Sequence, residues 1–201
     1  MIFFWHRVVS EVPYALANVV AMFLFNIIGI LVHEWGHLSW SGGQMRAMQI
    51  GMKPKRSAGW MRFAFGRVEF YPLFPLSGWV KIRKIPKTRL RWVMTSLGGP
   101  LTGTLFGIII FLAGWAMIPE STFAWYRDYG HTVKSFARNI MFHQGAWGKT
   151  SYLLMAHGFG QIVGHMSNLL PVRPLDGWAI RRTLNMNAER FSNSIGSRPG
   201  Y

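Results

Sequence analysis

The segment "HEWGH" carries His33, Glu34 and His37. On a helix, the four-residue interval between the histidines puts both imidazoles on one face, one turn apart. Two neutral imidazoles so placed can grip one zinc ion at about 2.0–2.1 Å. Glu34 follows the first histidine and points near the same face. It can take a proton from a water on the metal without binding the metal itself. A pattern that fixes three positions of five recurs by chance, so the setting decides what it means.

The motif closes the run "ALANVVAMFLFNIIGILV". A lipid-spanning helix needs roughly 20 mostly apolar residues. Two blocks meet that standard, at about 14–40 and 95–118. A third, 151–170, has the length but carries His157, Gln161, His165 and Asn168. Such a segment spans when its polar side faces other helices or a cavity. His33 lies seven residues inside Trp40, or roughly 10 Å of helix. That is below the membrane surface and short of the midplane. Polar groups cost a few kcal/mol near the bilayer centre unless paired, so three of them at metal spacing are poorly explained as packing.

The net charge of +15 is unevenly placed. In a three-span arrangement seventeen basic residues fall on one side and five on the other. This is the positive-inside bias. It predicts the N-terminus outside, a basic 41–94 loop in the cytoplasm, the 119–150 loop outside and the C-terminus inside. The basic loop is also drawn to anionic lipid heads. A nucleic-acid partner is excluded because it leaves the apolar blocks unexplained. With no cysteine, neither a disulfide nor a thiolate metal site is possible. Residues 1–13 read as an interfacial lead-in, with Pro13 near the start of the first helix.

A catalytic zinc takes a third protein ligand and keeps one position open. The chain holds seven acids. Glu11, Glu120 and Asp128 fall on the outer side and Glu189 in the polar tail, which leaves Glu69 and Asp176. His165, on the third helix and a turn or more deeper, is the rival; like His157, it reads better as a hydrogen-bonded interior histidine. Asp176 sits in "NLLPVRPLDGW", where Pro171 and Pro174 end the third helix. The Asp176-Gly177 turn then lies at the depth of His33. The same aspartate could instead cap the short helix "WAIRRTL".

Together these motifs resemble the site-2 protease family of intramembrane zinc metalloproteases. A membrane H-E-x-x-H (His33, Glu34, His37) is followed by N-x-x-P-x-x-x-x-D-G (Asn168, Pro171, Asp176, Gly177). "FPLSGWVKI" is similar to the family's P-L-G-G-Y-V segment, with Ser77 for one Gly and Trp79 for Tyr. "GGPLTG" is similar to its G-P-x-x-N, with Gly103 where Asn is usual. In exchange Gly99, Gly103 and Gly107 form a face suited to close helix packing.

The resemblance implies an all-α polytopic membrane protein. Its core, residues 14–178, has three transmembrane helices and a small β-hairpin element in the cytoplasmic loop at about 45–84; a polar tail follows at 179–201. It implies one zinc ion per chain between His33, His37 and Asp176, with Glu34 as the base. The expected reaction is hydrolysis of a peptide bond in or near a transmembrane helix of a membrane-protein substrate. Asn168 would hydrogen-bond the substrate backbone. The strand-like segment with Ser77, Gly78 and Trp79 would pair with unwound substrate, or merely anchor to lipid heads. The 119–150 loop is too short for the PDZ domain of some relatives, and its Trp125, Tyr126, Tyr129 and Trp147 suit an interface. The expected setting is a bacterial or archaeal plasma membrane; the oligomeric state is left open. Two other classes fit less well. A catalytically silent adaptor for transmembrane helices has no need of Glu34, and a metal carrier would spread its ligands along a path.

Overall fold

The computed structural model describes residues 2–42, 45–51, 63–65, 67–71, 78–82, 86–118 and 145–187. Helix α1 covers Ile2–Ser41, followed by strands β1 (Met45–Ile50), β2 (Phe63–Phe65), β3 (Val68–Phe70) and β4 (Gly78–Ile82). Helices α2 (Arg89–Ala116), α3 (Gly145–Ser167) and α4 (Asp176–Leu184) complete the described elements. The protein is mostly helical.

The first helix begins earlier than expected. It runs back to Ile2, so Pro13 lies inside it rather than near its start. Proline removes one helical hydrogen bond, but leaving the helix within an apolar run would strand many more backbone groups. The helix stops at Ser41 because Gly42 takes φ 63°, a left-handed turn that closes helix ends and suits glycine. The apolar stretch Leu16–Ser41 and the whole of α2 are, among the described residues, the two helices long and apolar enough to cross a membrane. Leu16, Val19, Val20, Phe23, Leu24 and Leu31 are exposed along α1. In water this would be a large apolar patch; in lipid it needs no cover.

The β element is larger than the expected hairpin. Four strands form one sheet in the order β2-β3-β1-β4. β1 runs parallel to β3, pairing Met48 with Val68, and antiparallel to β4, pairing Met48 with Val80. A two-stranded hairpin alone is marginally stable. Here β1 is paired on both edges and buries Met48 and Ile50.

The chain divides into two compact units, one of Met1–Gly103 with His165–Tyr201, the other of Thr104–Gly164. In the first, α1 meets α2 where two glycines face each other. A Cβ on Gly98 would lie 2.7 Å from the carbonyl oxygen of Gly36. Backbones can approach this closely only without side chains between them. In the second unit α2 and α3 use the same device. A Cβ on Gly107 would lie 2.8 Å from the carbonyl oxygen of Gly158. The fully buried Ser151 donates from Oγ to the Gly114 carbonyl at 2.7 Å.

α3 starts before and ends before the expected 151–170, stopping at Ser167, just ahead of the proline-bearing loop. The short helix expected at "WAIRRTL" is present as α4, which starts two residues earlier at Asp176. Ser77, most of the 119–150 loop and the tail beyond Asn187 lie outside the described residues.

Candidate metal centre

The first unit brings together residues from three helices. His33 and His37 project from one face of α1, as their spacing requires. Asp176 is the first residue of α4. Nε2 of His33 lies 3.1 Å from Oδ2 of Asp176 and 3.2 Å from Nε2 of His37. Nε2 of His37 lies 3.4 Å from Oδ1 of Asp176. These three residues form a group that could hold a metal ion.

The donor set fits zinc. With bonds of about 2.0–2.2 Å, adjacent ligands of a tetrahedral zinc stand about 3.3 Å apart. The three separations just given lie on either side of that value. Space in front of the ligands is kept by Gly99 of α2, where a Cβ would collide with Nε2 of His37 and lie 2.8 Å from Nε2 of His33.

The remaining imidazole nitrogens are also engaged. Nδ1 of His37 donates to the backbone carbonyl of Thr95 at 2.7 Å. That fixes the tautomer whose Nε2 offers a lone pair to a metal. Nδ1 of His33 lies 3.0 Å from Nδ1 of His165.

Asp176 is held by its loop. α3 ends at Ser167, and the Gly177 N–H donates to the Asn168 carbonyl at 2.8 Å. The Arg173 guanidinium sits 4.9 Å over the Trp178 ring and closes the loop. At the far end of α4, Arg89 donates to the Leu184 carbonyl at 2.5 Å, satisfying one of the helix's open acceptors. The aspartate is therefore not a helix cap. Position 175 caps the helix without a side-chain bond, and the carboxylate faces the histidines instead. In the metal-free protein burial works against ionisation of Asp176, but the Nε2 atoms of His33 and His37, then able to carry a proton and donate, hold its carboxyl down at about 2. It is an anion at any physiological pH.

Glu34 is buried and within electrostatic reach of His37 and Asp176. The backbone of Val80 on β4 hydrogen-bonds its carboxyl group. β4 lies close because Gly78 has no side chain: a Cβ there would lie 2.6 Å from Cγ2 of Ile30 and 3.2 Å from Cγ of Glu34. Its neighbour Trp79 is exposed.

The sequence candidates separate cleanly. Glu69 stays on β3, where it accepts a hydrogen bond from the Tyr71 hydroxyl at 3.0 Å, and it is not in the group. His165 stands behind His33 rather than in the ligand set, and His157 belongs to the other unit. Asn168 reaches the centre's loop through its backbone. Sequence reasoning missed the Thr95 carbonyl, the partner of His165, and the space kept by Gly99 and Gly103. The glycine spacing in "GGPLTG" suggested packing of helix on helix. At positions 99 and 103 the glycines make room for imidazole rings instead.

A pair of histidines one turn apart and a distant aspartate thus form a group that could hold a metal ion, with Glu34 buried beside it. The family model for Peptidase family M50 matches residues 20–196, and the chain belongs to that family, the site-2 protease family whose motifs it carries. No match was found among curated proteins or among solved structures.

Proposed function

We propose that the protein is an intramembrane zinc endopeptidase that hydrolyses a peptide bond in or near a transmembrane segment of a membrane-protein substrate. The observation that carries this reading is the convergence of both Nε2 atoms and the Asp176 carboxylate, with Glu34 buried beside them. Membership of a peptidase family supports it. His33, His37 and Asp176 would hold one zinc ion, which when bound lowers the pKa of water toward about 7 and polarises a carbonyl.

The chain's own groups do the rest. The Glu34 carboxylate accepts a proton from the attacking water as its oxygen bonds to the scissile carbonyl carbon. It returns that proton to the leaving amine nitrogen as the C–N bond breaks. Val80 holds that carboxylate in place. A substrate helix hides its amides in its own hydrogen bonds, so it must unwind locally. β4 stands at one end of the sheet, where Gly78 and exposed Trp79, with Ser77 before them, would receive the unwound strand by edge pairing. The Asn168 side chain would add a hydrogen bond to the substrate backbone.

In this reading α3 is the third membrane span, its polar residues turned away from lipid. The basic 41–94 segment lies on the cytoplasmic side of a bacterial or archaeal plasma membrane. The test is cleavage of a model transmembrane substrate by the wild-type protein and by Glu34→Gln, each with its zinc content measured. Cleavage by wild type alone, with zinc on both, is expected. Zinc on both and cleavage by neither would favour the adaptor reading.

A further inference from the structure

We infer that His165 is a positioning residue for the metal: it fixes the tautomer and ring orientation of His33 through an Nδ1 to Nδ1 hydrogen bond, and Gly103 is the slot that admits its ring. This rests on the zinc reading above. It concerns two residues whose joint role no motif assigns.

Both imidazoles are buried, His33 at 6% and His165 at 8% exposure. A buried ring nitrogen needs a partner. The two Nδ1 atoms are 3.0 Å apart while the ring centroids are 5.0 Å apart. The rings therefore meet by their nitrogen-bearing edges rather than face on face. Between two Nδ1 atoms one must donate and the other accept. Nε2 of His33 faces Asp176 and His37, so a metal there requires its lone pair. The proton of His33 then sits on Nδ1 and is donated to Nδ1 of His165. His165 does for His33 what the Thr95 carbonyl does for His37. Ligand histidines are commonly oriented by such outer partners, and loss of one typically lowers metal affinity 10- to 100-fold.

Gly103 explains how the ring fits. A Cβ at that position would lie 2.5 Å from both Cγ and Cδ2 of His165 and 2.6 Å from its Nδ1. Those contacts are with ring atoms, which cannot yield as the end of a flexible chain would. Any side chain at 103 would drive His165 from His33.

The test uses the full-length protein in detergent or nanodiscs. Zinc affinity is read by competition with a chromophoric chelator, and ligand geometry by the visible absorption of the cobalt form. Expected results are a 10- to 100-fold weaker zinc affinity for His165→Ala and recovery to within about threefold for His165→Asn, whose Oδ1 can stand in for Nδ1 as acceptor. Gly103→Ala should weaken zinc similarly in the wild-type background and add nothing to His165→Ala. The cobalt spectrum should shift in the alanine variants and return in His165→Asn. Equal losses for His165→Ala and His165→Asn would mean the ring serves only as filling, and would overturn the proposal. So would unchanged affinity in all variants of a zinc-binding parent, or a Gly103→Ala effect that persists without His165. A parent protein that binds no zinc would instead remove the metal reading itself, and this proposal with it.

Discussion

The N–H of Gly177 donates to the carbonyl of Asn168 at 2.8 Å, tying the start of α4 to the end of α3. Asp176 is carried between them. A Cβ at 177 would strike the Leu169 carbonyl and lie 2.5 Å from the Leu170 oxygen. Backbone atoms cannot swing aside, so Gly177→Ala must open the loop and move the carboxylate. Zinc affinity is expected to fall at least tenfold, with helix content by circular dichroism unchanged. An unaltered zinc isotherm would show that the loop does not set the aspartate.

Metal binding should stabilise the folded chain. Zinc at about a hundred times its Kd contributes about 2.7 kcal/mol, so chelation should lower the melting temperature of the wild-type protein and added zinc restore it. Asp176→Asn keeps the shape of the ligand but not its charge. Its melting curve should respond little to either treatment. An equal zinc response in both proteins would exclude Asp176 from the ligand set.

Gly78→Ala separates the base from the metal. The added methyl would meet Ile30 and Glu34, displacing either β4 or the glutamate, while the ligands keep their own supports. Cleavage should drop tenfold or more with zinc stoichiometry intact. Loss of zinc in step with activity would contradict this division of roles.

In the metal-free protein, Asp176 ionises at about 2 rather than at its ordinary 3.8. A carboxyl whose folded value is depressed contributes stability that is complete above the unfolded value and disappears as pH falls through the folded one. Acid titration of the metal-free wild type and Asp176→Asn should therefore show a stability gap that narrows as pH falls below 3.8 and closes near pH 2. A gap that persisted at the acid end would mean the aspartate acts by packing.

Much of the centre was legible in the sequence because helical spacing is local. His33 and His37 must share a face of α1 whatever the rest of the chain does. Elimination among the few acids left Glu69 and Asp176, and it was the resemblance carried by the N-x-x-P-x-x-x-x-D-G motif that singled out Asp176. What escaped depends on pairings between distant segments. No local pattern indicates that β1 pairs parallel with β3, because register in a mixed sheet is set by which face is buried. Pro13 reads from the sequence as lying near a helix start, whereas α1 runs through it back to Ile2. The use of Gly99 and Gly103 was hidden for a simple reason: a glycine in a sequence marks a close approach without saying what approaches.

The candidate ligands His33 and Asp176 stand 143 residues apart in the chain. During synthesis the first helix emerges long before the aspartate leaves the ribosome. Until that final turn docks, a half-made molecule holds only paired imidazoles, too few to anchor an ion firmly. In the proposed protease, cutting therefore waits until the last part of the site has been made.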